Sequence, residues 1–452
     1  MSREMKDSGV EWIGEIPKNW DVMKLLFVLR SPITDGPHET PNLVESQEGI
    51  PFISVDSLNN TKQVDLSIVK KYISVKDYKE YRKKAFLEKG DVLFTKAATI
   101  GKTAIVDNPT EYMVWSPIAI LKPSKKCFNE YLYYILNCKE AIKYTRDIIG
   151  HETTQVNVGM RDLEKLKIPI APFDEQKRIA IFLDSKCGAI DQAIQKQKDI
   201  VDKLMEYKQS TITQAITKGL NPNSEMKDSG VEWIGEIPQN WSIMRLKYAY
   251  DNSNGNAVKV GPFGSQLKSS SYVSSGEWVY NQRTVLDENF ETNDTFVSKE
   301  KANSLSGFKV YPNDVLITTR GTLGHIAIVP NNAPSGILHP CIIRFRIDSN
   351  VINPRLLKYM FNNSDFFIKQ IELTNNSTTI DALYSYNLCN LVFPVIPLSE
   401  QKNIIDFLDL KCLEIDESIE RSNKIIQKLE EYKKSLIYNA ITGKIDCRGE
   451  VK

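Results

Sequence analysis

The chain has 452 residues, 41% hydrophobic and 25% charged, and its 58 basic residues nearly balance its 57 acidic ones, which leaves a formal net charge of +1. These proportions exclude a disordered chain, and the length favours two or three domains over a single core. With neither an apolar leader nor a bilayer-length apolar run, we expect a cytoplasmic protein with reduced cysteines and no membrane contact. The seven cysteines form no CxxC pair and there are only four histidines, which argues against a zinc finger and predicts no metal site.

The first element along the chain is a motif that occurs twice. Residues 5–20, MKDSGVEWIGEIPKNW, recur at 226–241 with a single change, Lys18 to Gln239. Two shorter pairs follow, beginning at residues 90 and 313 and at residues 175 and 400, so that the three offsets are 221, 223 and 225 residues. The segments between these motifs diverge. The pattern predicts two copies of one unit, in which a common frame holds two different recognition surfaces.

The divergent segments, 21–166 and 242–391, follow each copy of the motif. Short runs rich in β-branched and aromatic residues, such as 51–55, 91–95 and 341–346, are bounded by Gly, Pro, Asn and Asp, which is typical of strands and turns. Each segment then closes with one helical stretch, at 130–144 and 354–371. We therefore predict a mixed α/β (α+β) domain in each copy.

Each copy ends in a long predicted helix. Residues 174–217 contain no proline and one glycine, and residues 399–442 contain neither. Apolar residues recur at alternating steps of three and four along both, which is the heptad pattern of a two-stranded coiled coil. Asp174 and Ser399 are the predicted N-caps. Either stripe alone is also typical of an ordinary core helix, but two helices with the same pattern favour pairing with each other.

These elements divide the chain into five predicted segments. The two α/β domains are joined by a linker that contains Asn-Pro-Asn, and each is followed by its long helix. The segments are a first domain (1–173), a first spacer helix (174–218), a linker and second domain (219–398), a second spacer helix (399–442) and a C-terminal tail (443–452).

The duplicated GVEWIGEIPxNW motif, the Gly-Asp-Val-Leu turn at 90–93 and the Pro-[Phe/Leu]-x-Glu-Gln-Lys start of both long helices resemble the specificity subunits of type I restriction-modification systems. The resemblance covers nearly the whole chain. It implies two target recognition domains, each for one half of a split double-stranded DNA site, held by an antiparallel coiled coil with a pseudo-two-fold internal repeat. It also implies two methyltransferase subunits and restriction/translocase subunits as partners. The first alternative is a coiled-coil protein-interaction scaffold without DNA specificity, and the second is one arm of a fused enzyme whose catalytic domain was lost.

Three short sequences look catalytic but lack the partners that catalysis needs. Gly-Lys-Thr at 101–103 ends like a phosphate-binding loop, but Lys96 stands where that loop requires glycine. Glu-Gln-Lys at 175–177 resembles a nuclease motif, but it lies in the first turn of a helix, where an acid favours the helix dipole. No Pro-Pro is present to hold a flipped base. We therefore predict a non-catalytic subunit without a cofactor.

Recognition of duplex DNA needs Arg and Lys for phosphates and guanine, Asn and Gln for adenine, and Ser, Thr and His on loops that enter the major groove. A polar loop alone is more often a plain solvated turn. The lysine-rich stretch 70–84, with three tyrosines, is either a phosphate contact or the solvent face of a short helix. The predicted DNA-binding residues of the first domain are His38, Thr40, Lys96, Thr99, Lys102, His151, Thr153, Thr154 and Gln155. Those of the second domain are Ser265, Gln266, Lys268, Arg283, Thr319, Arg320, Thr322, His325, Asn375, Asn376, Thr378 and Thr379. Within this set, the family's Arg-Gly-Thr-Leu-Gly turn is present at 320–324, whereas its first copy is KAATIG at 96–101.

Overall fold

The computed structural model describes residues 3–39, 41–46, 48–59, 61–108, 112–149, 157–253, 255, 257–364, 366–374 and 382–449. The chain forms two compact units. Unit 1 comprises Met1–Lys198 and Asn423–Lys452, and unit 2 comprises Asp199–Ser422. Each unit therefore contains one copy of the repeat and a part of each long helix. Within the described ranges no helix has both the length and the hydropathy needed to cross a membrane.

Unit 1 contains eleven strands among its described residues, in four small sheets with the orders β1-β2, β4-β10-β7-β8, β11-β3 and β6-β5-β9. The strands are β1 (Met5–Asp7), β2 (Glu15–Pro17), β3 (Asp21–Lys24), β4 (Thr34–Asp35), β5 (Ile50–Ile53), β6 (Tyr72–Ile73), β7 (Val92–Thr95), β8 (Thr103–Ile105), β9 (Met113–Val114), β10 (Ile118–Leu121) and β11 (Lys167–Ile170). The helices are α1 (Val75–Lys84), α2 (Asn129–Asn137), α3 (Lys139–Ile149), α4 (Met160–Leu163), the first part of α5 (Phe173–Lys218) and the last part of α11 (Leu398–Ile441).

Unit 2 repeats the β1-β2, β3–β11 and four-stranded sheets as β12-β13, β14-β24 and β15-β23-β20-β21, and has a five-stranded sheet, β16-β18-β17-β22-β19, where unit 1 has the three-stranded sheet β6-β5-β9. Its strands are β12 (Met226–Asp228), β13 (Glu236–Pro238), β14 (Ser242–Arg245), β15 (Val258–Val260), β16 (Tyr272–Val273), β17 (Glu277–Tyr280), β18 (Phe296–Val297), β19 (Lys309–Val310), β20 (Val315–Thr318), β21 (Ile326–Ile328), β22 (Gly336–Leu338), β23 (Ile342–Phe345) and β24 (Val392–Val395). Its helices are the last part of α5, then α6 (Gln282–Leu286), α7 (Lys299–Ser304), α8 (Pro354–Asn362), α9 (Phe366–Thr374), α10 (Ser385–Asn390) and the first part of α11 (Leu398–Ile441).

The predicted mixed α/β fold is confirmed, with one difference in the helices. Each closing helical stretch is two helices, α2 and α3 in unit 1 and α8 and α9 in unit 2. The break in unit 1 falls at Cys138, whose backbone is extended and whose N–H bonds to Ile135 O to end α2. Neither glycine nor proline marks that break in the sequence. The sequence pattern therefore predicted one continuous helix where the structure has two.

The two long helices are present, and each begins one residue earlier than predicted. Helix α5 has 46 residues and α11 has 44, so both are far longer than a typical helix. Asp174 and Ser399 are therefore not the N-caps. They lie inside the first turn, because the helices start at Phe173 and Leu398, directly after a proline.

Within each unit the two long helices pack against each other in an antiparallel pair. In unit 1 the early heptad residues of α5 share a core with the last turns of α11, and Asp191 accepts from Lys433 Nζ at 2.6 Å. In unit 2 the last turns of α5 share a core with the early heptad residues of α11, and Lys208 Nζ lies 2.7 Å from Asp416. The start of one helix thus meets the end of the other, which confirms the predicted coiled coil.

The duplicated motif packs on the start of the long helix in its own unit. Trp20 is fully buried and its Nε1 donates to Glu175 Oε2 at 3.1 Å. In unit 2 Trp241 Nε1 donates to Glu400 Oε2 at 3.0 Å. The next residue in each helix, Gln176 or Gln401, is buried and bonded to three backbone groups. The Glu-Gln pair therefore joins the motif and the domain to the helix.

The glycine after each long helix also contacts the motif. Gly219 and Gly443 have φ angles of +72° and +73°, which a left-handed helix end requires. A Cβ on Gly443 would lie 2.5 Å from Pro17, and one on Gly219 would lie 3.3 Å from Trp241. Unit 1 therefore includes packing between the first motif of the chain and the end of its last helix.

Candidate DNA interface

Each unit has one four-stranded antiparallel sheet, and predicted DNA-binding loops gather at one end of it. In unit 1 Lys96 N donates to Pro117 O at 2.8 Å, so the loop after β7 lies against the loop before β10. In unit 2 Thr319 N bonds to Cys341 O at 3.1 Å, and Gly261 N bonds to the first residue of β23 at 2.9 Å. We call this part of each unit the loop end. It comprises residues 36–39, 96–102 and 115–117 in unit 1, and residues 261–268, 319–325 and 339–341 in unit 2.

A turn of the same shape connects β7 to β8 in unit 1 and β20 to β21 in unit 2. It begins at a buried threonine, Thr95 or Thr318, whose hydroxyl donates to the carbonyl oxygen four residues later. Ala98 adopts a φ of +59° where unit 2 has Gly321 at +65°, so the different sequences give the same loop shape. The side chain at the tip differs, because Arg320 is exposed in unit 2 where unit 1 has alanine.

In unit 1 the four described candidates differ in exposure. His38 and Thr99 are exposed, and His38 Nε2 lies 3.3 Å from Asp35 Oδ2. Lys96 is buried, with its Nζ 3.1 Å from the same Asp35 oxygen. Lys102 is half-buried and donates from Nζ to a backbone carbonyl at 2.9 Å. The two lysines therefore fix the shape of the loop end, while His38 and Thr99 are accessible to DNA.

In unit 2 most described candidates are accessible. Thr319 is buried and its hydroxyl donates to a backbone carbonyl at 2.9 Å, so it positions the turn. His325 is half-buried, and burial lowers the pKa of its imidazole, which favours the neutral form. Arg283 lies 3.5 Å from Asp287 and 3.6 Å from Asp294, which offset part of its charge. The exposed candidates are Ser265, Gln266, Lys268, Arg283, Arg320 and Thr322.

Nine predicted residues lie outside the described ranges. The residues that flank them nevertheless join the loop ends. Val158 N donates to Lys96 O at 2.7 Å, and Leu383 N donates to Thr319 O at 2.9 Å. The nine are Thr40, His151, Thr153, Thr154, Gln155, Asn375, Asn376, Thr378 and Thr379.

Phe263 is a candidate that the sequence analysis missed. It is 80% exposed at the loop end, and it occupies the position of His38 in unit 1, because both follow a Gly-Pro pair. The glycine of each pair has no room for a side chain. A Cβ would lie 1.9 Å from a backbone oxygen at Gly36 and 2.0 Å from one at Gly261. The repeated Gly-Pro-x was the available sequence signal, and an exposed aromatic ring there suits apolar contact with a base.

The sequence was compared with protein families and with individual known proteins. A model of the type I restriction modification DNA specificity domain matches residues 17–200 and 264–431. The chain belongs to this specificity family. It is similar to the putative type I restriction enzyme MjaX specificity subunit of Methanocaldococcus jannaschii, with 27% identity over 445 residues, or 96% of this chain and 95% of the relative. The MjaVIII specificity subunit of the same organism is 24% identical over 445 residues, covering 95% of this chain and 94% of the relative.

Two solved structures have the same overall fold as this chain. A chain from a structure described as explaining complex assembly and conformational transition of the type I R-M system has a TM-score of 0.68 and 15% identity, and covers 95% of this chain and 99% of its own length. The HsdS subunit from Thermoanaerobacter tengcongensis has a TM-score of 0.51 and 14% identity, covering 95% of this chain and 98% of its own.

Proposed function

We propose that this chain recognises a bipartite duplex DNA target for a type I restriction-modification complex, with one half-site bound by each unit. The observation that carries the proposal is the pair of loop ends. Both loop ends have a threonine-anchored turn and a Gly-Pro loop, but the side chains differ. After Gly-Pro, unit 1 has His38 and unit 2 has Phe263, and at the tip of the turn unit 1 has an alanine and unit 2 has Arg320. One backbone scaffold with different exposed side chains suits recognition of two different base sequences.

The proposal assigns no catalytic step and no cofactor to this chain, which would act in the cytoplasm, where its DNA target is. Two residues that could be taken for catalytic groups are held by structural contacts. Lys102 Nζ is bound to a backbone carbonyl, and Glu175 is bound by Trp20 and Arg3. Methyl transfer and cleavage would therefore belong to the methyltransferase and restriction subunits.

The duplicated motif is the proposed docking site for two methyltransferase subunits. The residues that are buried in both copies, such as Trp20 and Trp241, are identical because they pack on the same frame. Glu11 and Glu15, and their counterparts Glu232 and Glu236, are exposed, yet they are identical too. Packing within the unit does not explain identical exposed residues in two otherwise divergent units. A partner that binds each unit once does.

Reversing these charges tests the docking site. We expect Glu11→Lys with Glu15→Lys to remove one of two bound methyltransferase subunits, since a reversed charge at an interface costs several kcal/mol. Adding Glu232→Lys and Glu236→Lys should remove the second. Native mass spectrometry of the complex measures the number bound. The control is Glu45→Lys with Glu48→Lys, two exposed glutamates of a divergent segment. Two bound subunits in the fourfold variant would contradict the assignment.

Exchange of one recognition segment tests the DNA proposal. Strand β3 pairs with β11, so the exchanged segment should be 25–166, which leaves that pair in the frame. Replacement by the same segment of a relative with another target should change one half of the recognised sequence, as measured by binding selection from randomised duplexes. The reciprocal control exchanges 246–391 and should change the other half.

Two results would contradict the DNA proposal. One is a change in both half-sites after a single exchange. The other is duplex binding that does not weaken with salt. Phosphate contacts release counterions, so the logarithm of the affinity should fall linearly with the logarithm of the salt concentration. A scaffold without DNA specificity has no such dependence.

A further inference from the structure

Unit 2 contains a cavity of about 700 Å³ at the end of its four-stranded sheet opposite the loop end. Strand β20 connects the two places, because Asp314 at its start lines the cavity and Thr319 after its end belongs to the loop end. Arg344, Arg346 and Tyr311 also line the cavity. Neither DNA recognition nor subunit docking, as proposed above, uses these residues.

The cavity has more cationic groups than nearby carboxylates to pair with them. Arg346 Nε donates to Asp314 Oδ1 at 2.8 Å, and Arg344 Nη1 lies 3.7 Å from the other oxygen of Asp314. Lys259 is directly opposite Arg344 on the neighbouring strand. Asp251 also lines the cavity, and its carboxylate accepts from Ser253 N at 2.8 Å. Hydrogen bonds from Ser253 and, to a smaller extent, the charge of Arg346 lower the pKa of this carboxyl, so it is a second counter-charge without a direct ion pair. One carboxylate, Asp314, is therefore shared by two arginines.

Arg344 has an unused donor. Its side chain is 6% exposed, and its Nε has no hydrogen-bond acceptor within the part of the chain that the structure describes. Nη1 donates to a backbone carbonyl at 2.6 Å, which fixes the guanidinium against the cavity. A buried donor without an acceptor is costly, and arginine keeps its charge, so this group favours an anion.

The corresponding place in unit 1 shows what a complete set of ion pairs looks like. Lys122 Nζ lies 2.9 Å from Glu88 and 2.7 Å from Asp91. Arg30 contacts the same two carboxylates. Two cations thus face two carboxylates, and each cation contacts both of them. A structural role alone accounts for this arrangement.

Unit 2 departs from that set at the matching positions. By strand register Arg344 takes the place of Ile120, and Lys259 takes the place of Thr34. Tyr311 stands where unit 1 has a carboxylate, since both residues precede the buried aspartate by three positions and accept its N–H. At the position of Arg30 unit 2 has Asp251, so two carboxylates remain while the two cations of unit 1 become three, Arg344, Arg346 and Lys259. A stability role does not require this excess of positive charge.

We propose that this cavity binds a small molecule that carries a phosphate group, held by Arg344 and Arg346 beside Lys259. The planar guanidinium fork matches the oxygens of a phosphate and forms paired, charge-assisted hydrogen bonds. A volume of about 700 Å³ is within the usual range for small-molecule sites. Tyr311, 47% exposed at the cavity, offers a ring for the organic part of the ligand.

A phosphate of the DNA backbone is the other source of the same chemistry. The five residue-to-residue steps from Asp314 to Thr319 extend over about 17 Å, at about 3.3 Å per step. The cavity is therefore well separated from the loop end, which favours a free ligand. The two sources differ in competition, because DNA bound in the cavity would displace a free phosphate ligand.

Binding of phosphate probes to the full chain tests the proposal. Inorganic phosphate, pyrophosphate and adenosine monophosphate are titrated by calorimetry at constant ionic strength, so that general screening is the same throughout. We expect at least one probe to bind, and to bind at least about tenfold more weakly to Arg344→Ile and to Arg346→Gln. Isoleucine is the residue at the matching position of unit 1, so the fold accommodates it there. The matched control is Arg421→Gln, an exposed arginine of the same unit that is not a DNA-binding candidate.

The outcomes are distinct. Weaker binding in both cavity variants and unchanged binding in the control supports the site. If Arg344→Ile does not melt cooperatively, the test uses only Arg346→Gln and the control, because the side chain of Arg346 is 19% exposed and its replacement disturbs the fold less. No binding of any probe, or equal binding by all variants, overturns the proposal. Displacement of the probe by target duplex also overturns it, because the cavity would then hold DNA. Half-site selection on the same variants is expected to be unchanged, which keeps this test separate from the proposed function.

Discussion

Replacing Gln176 by leucine is expected to destabilise unit 1 by about 3–5 kcal/mol, because each buried polar group left without a partner costs about 1–3 kcal/mol. The amide is fully buried. Its oxygen accepts from Phe128 N at 2.7 Å, and its nitrogen donates to Lys126 O at 2.9 Å and to Ala171 O at 2.8 Å. Leucine has a similar volume but none of these groups, so three backbone atoms would lose their protein partner between the helix and the domain, and the buried Ala171 O would be left unsatisfied.

Gln401→Leu is the matched change in unit 2, where the side chain bonds to Asn353 N, Val351 O and Ile396 O at 2.7, 2.9 and 2.8 Å. Hydrogen exchange of the full chain measures each unit separately, through peptides that cover α2 and α8. Each substitution should lower protection in its own unit. Lys177→Leu, at the exposed next position, is the control and should leave both unchanged. Unchanged protection after Gln176→Leu would show that the network is not needed.

Replacing Gly261 by alanine is expected to weaken binding of one half-site by about 5- to 150-fold, equivalent to the 1–3 kcal/mol carried by a good base contact. The new Cβ would lie 2.0 Å from His339 O, which is backbone and cannot rotate away. The loop must therefore move, and Phe263, Gln266 and Lys268 move with it. Quantitative binding to duplexes with substitutions in either half-site measures the effect.

Gly36→Ala is the counterpart in unit 1, with a Cβ 1.9 Å from Val114 O, and it should weaken the other half-site. Gly264→Ala is the control, because nothing lies within 4 Å of a Cβ there and the backbone is not left-handed. Equal losses for Gly261→Ala and Gly264→Ala would mean that the close approach does not position the loop.

The repeat and the long helices were predictable because they rest on local pattern. Sixteen nearly identical residues and sustained heptads need no tertiary information. The burial of Lys96 and Thr319 was not predictable, since it depends on strands that are distant in sequence. Polar residue type suggested DNA contact for both, but their side chains are bound within the fold.

The two copies of the motif also show that burial cannot be predicted from local sequence alone, because the same tryptophan is buried in one copy and exposed in the other. Trp12 is 7% exposed and donates from Nε1 to the first residue of β11 at 3.2 Å. Its copy Trp233 is 42% exposed. In unit 2 the matching carbonyl, Val392 O, is bound by Gln370 at 2.8 Å instead. The divergent domain, which the motif does not encode, decides whether the indole is buried.

Unit 1 is built from the two ends of the chain, and this determines the order in which the two units are completed during translation. Unit 2 is one continuous stretch, whereas unit 1 combines Met1–Lys198 with Asn423–Lys452. Residues at the end of α11, such as Ala440 and Ile441, belong to the same core as Trp20. At about 5–20 residues per second, unit 1 waits roughly 10–45 seconds for them while unit 2 is synthesised. The first unit to be translated is therefore the last to be completed, and during that interval the part of its apolar core that the end of α11 later covers stays without that cover.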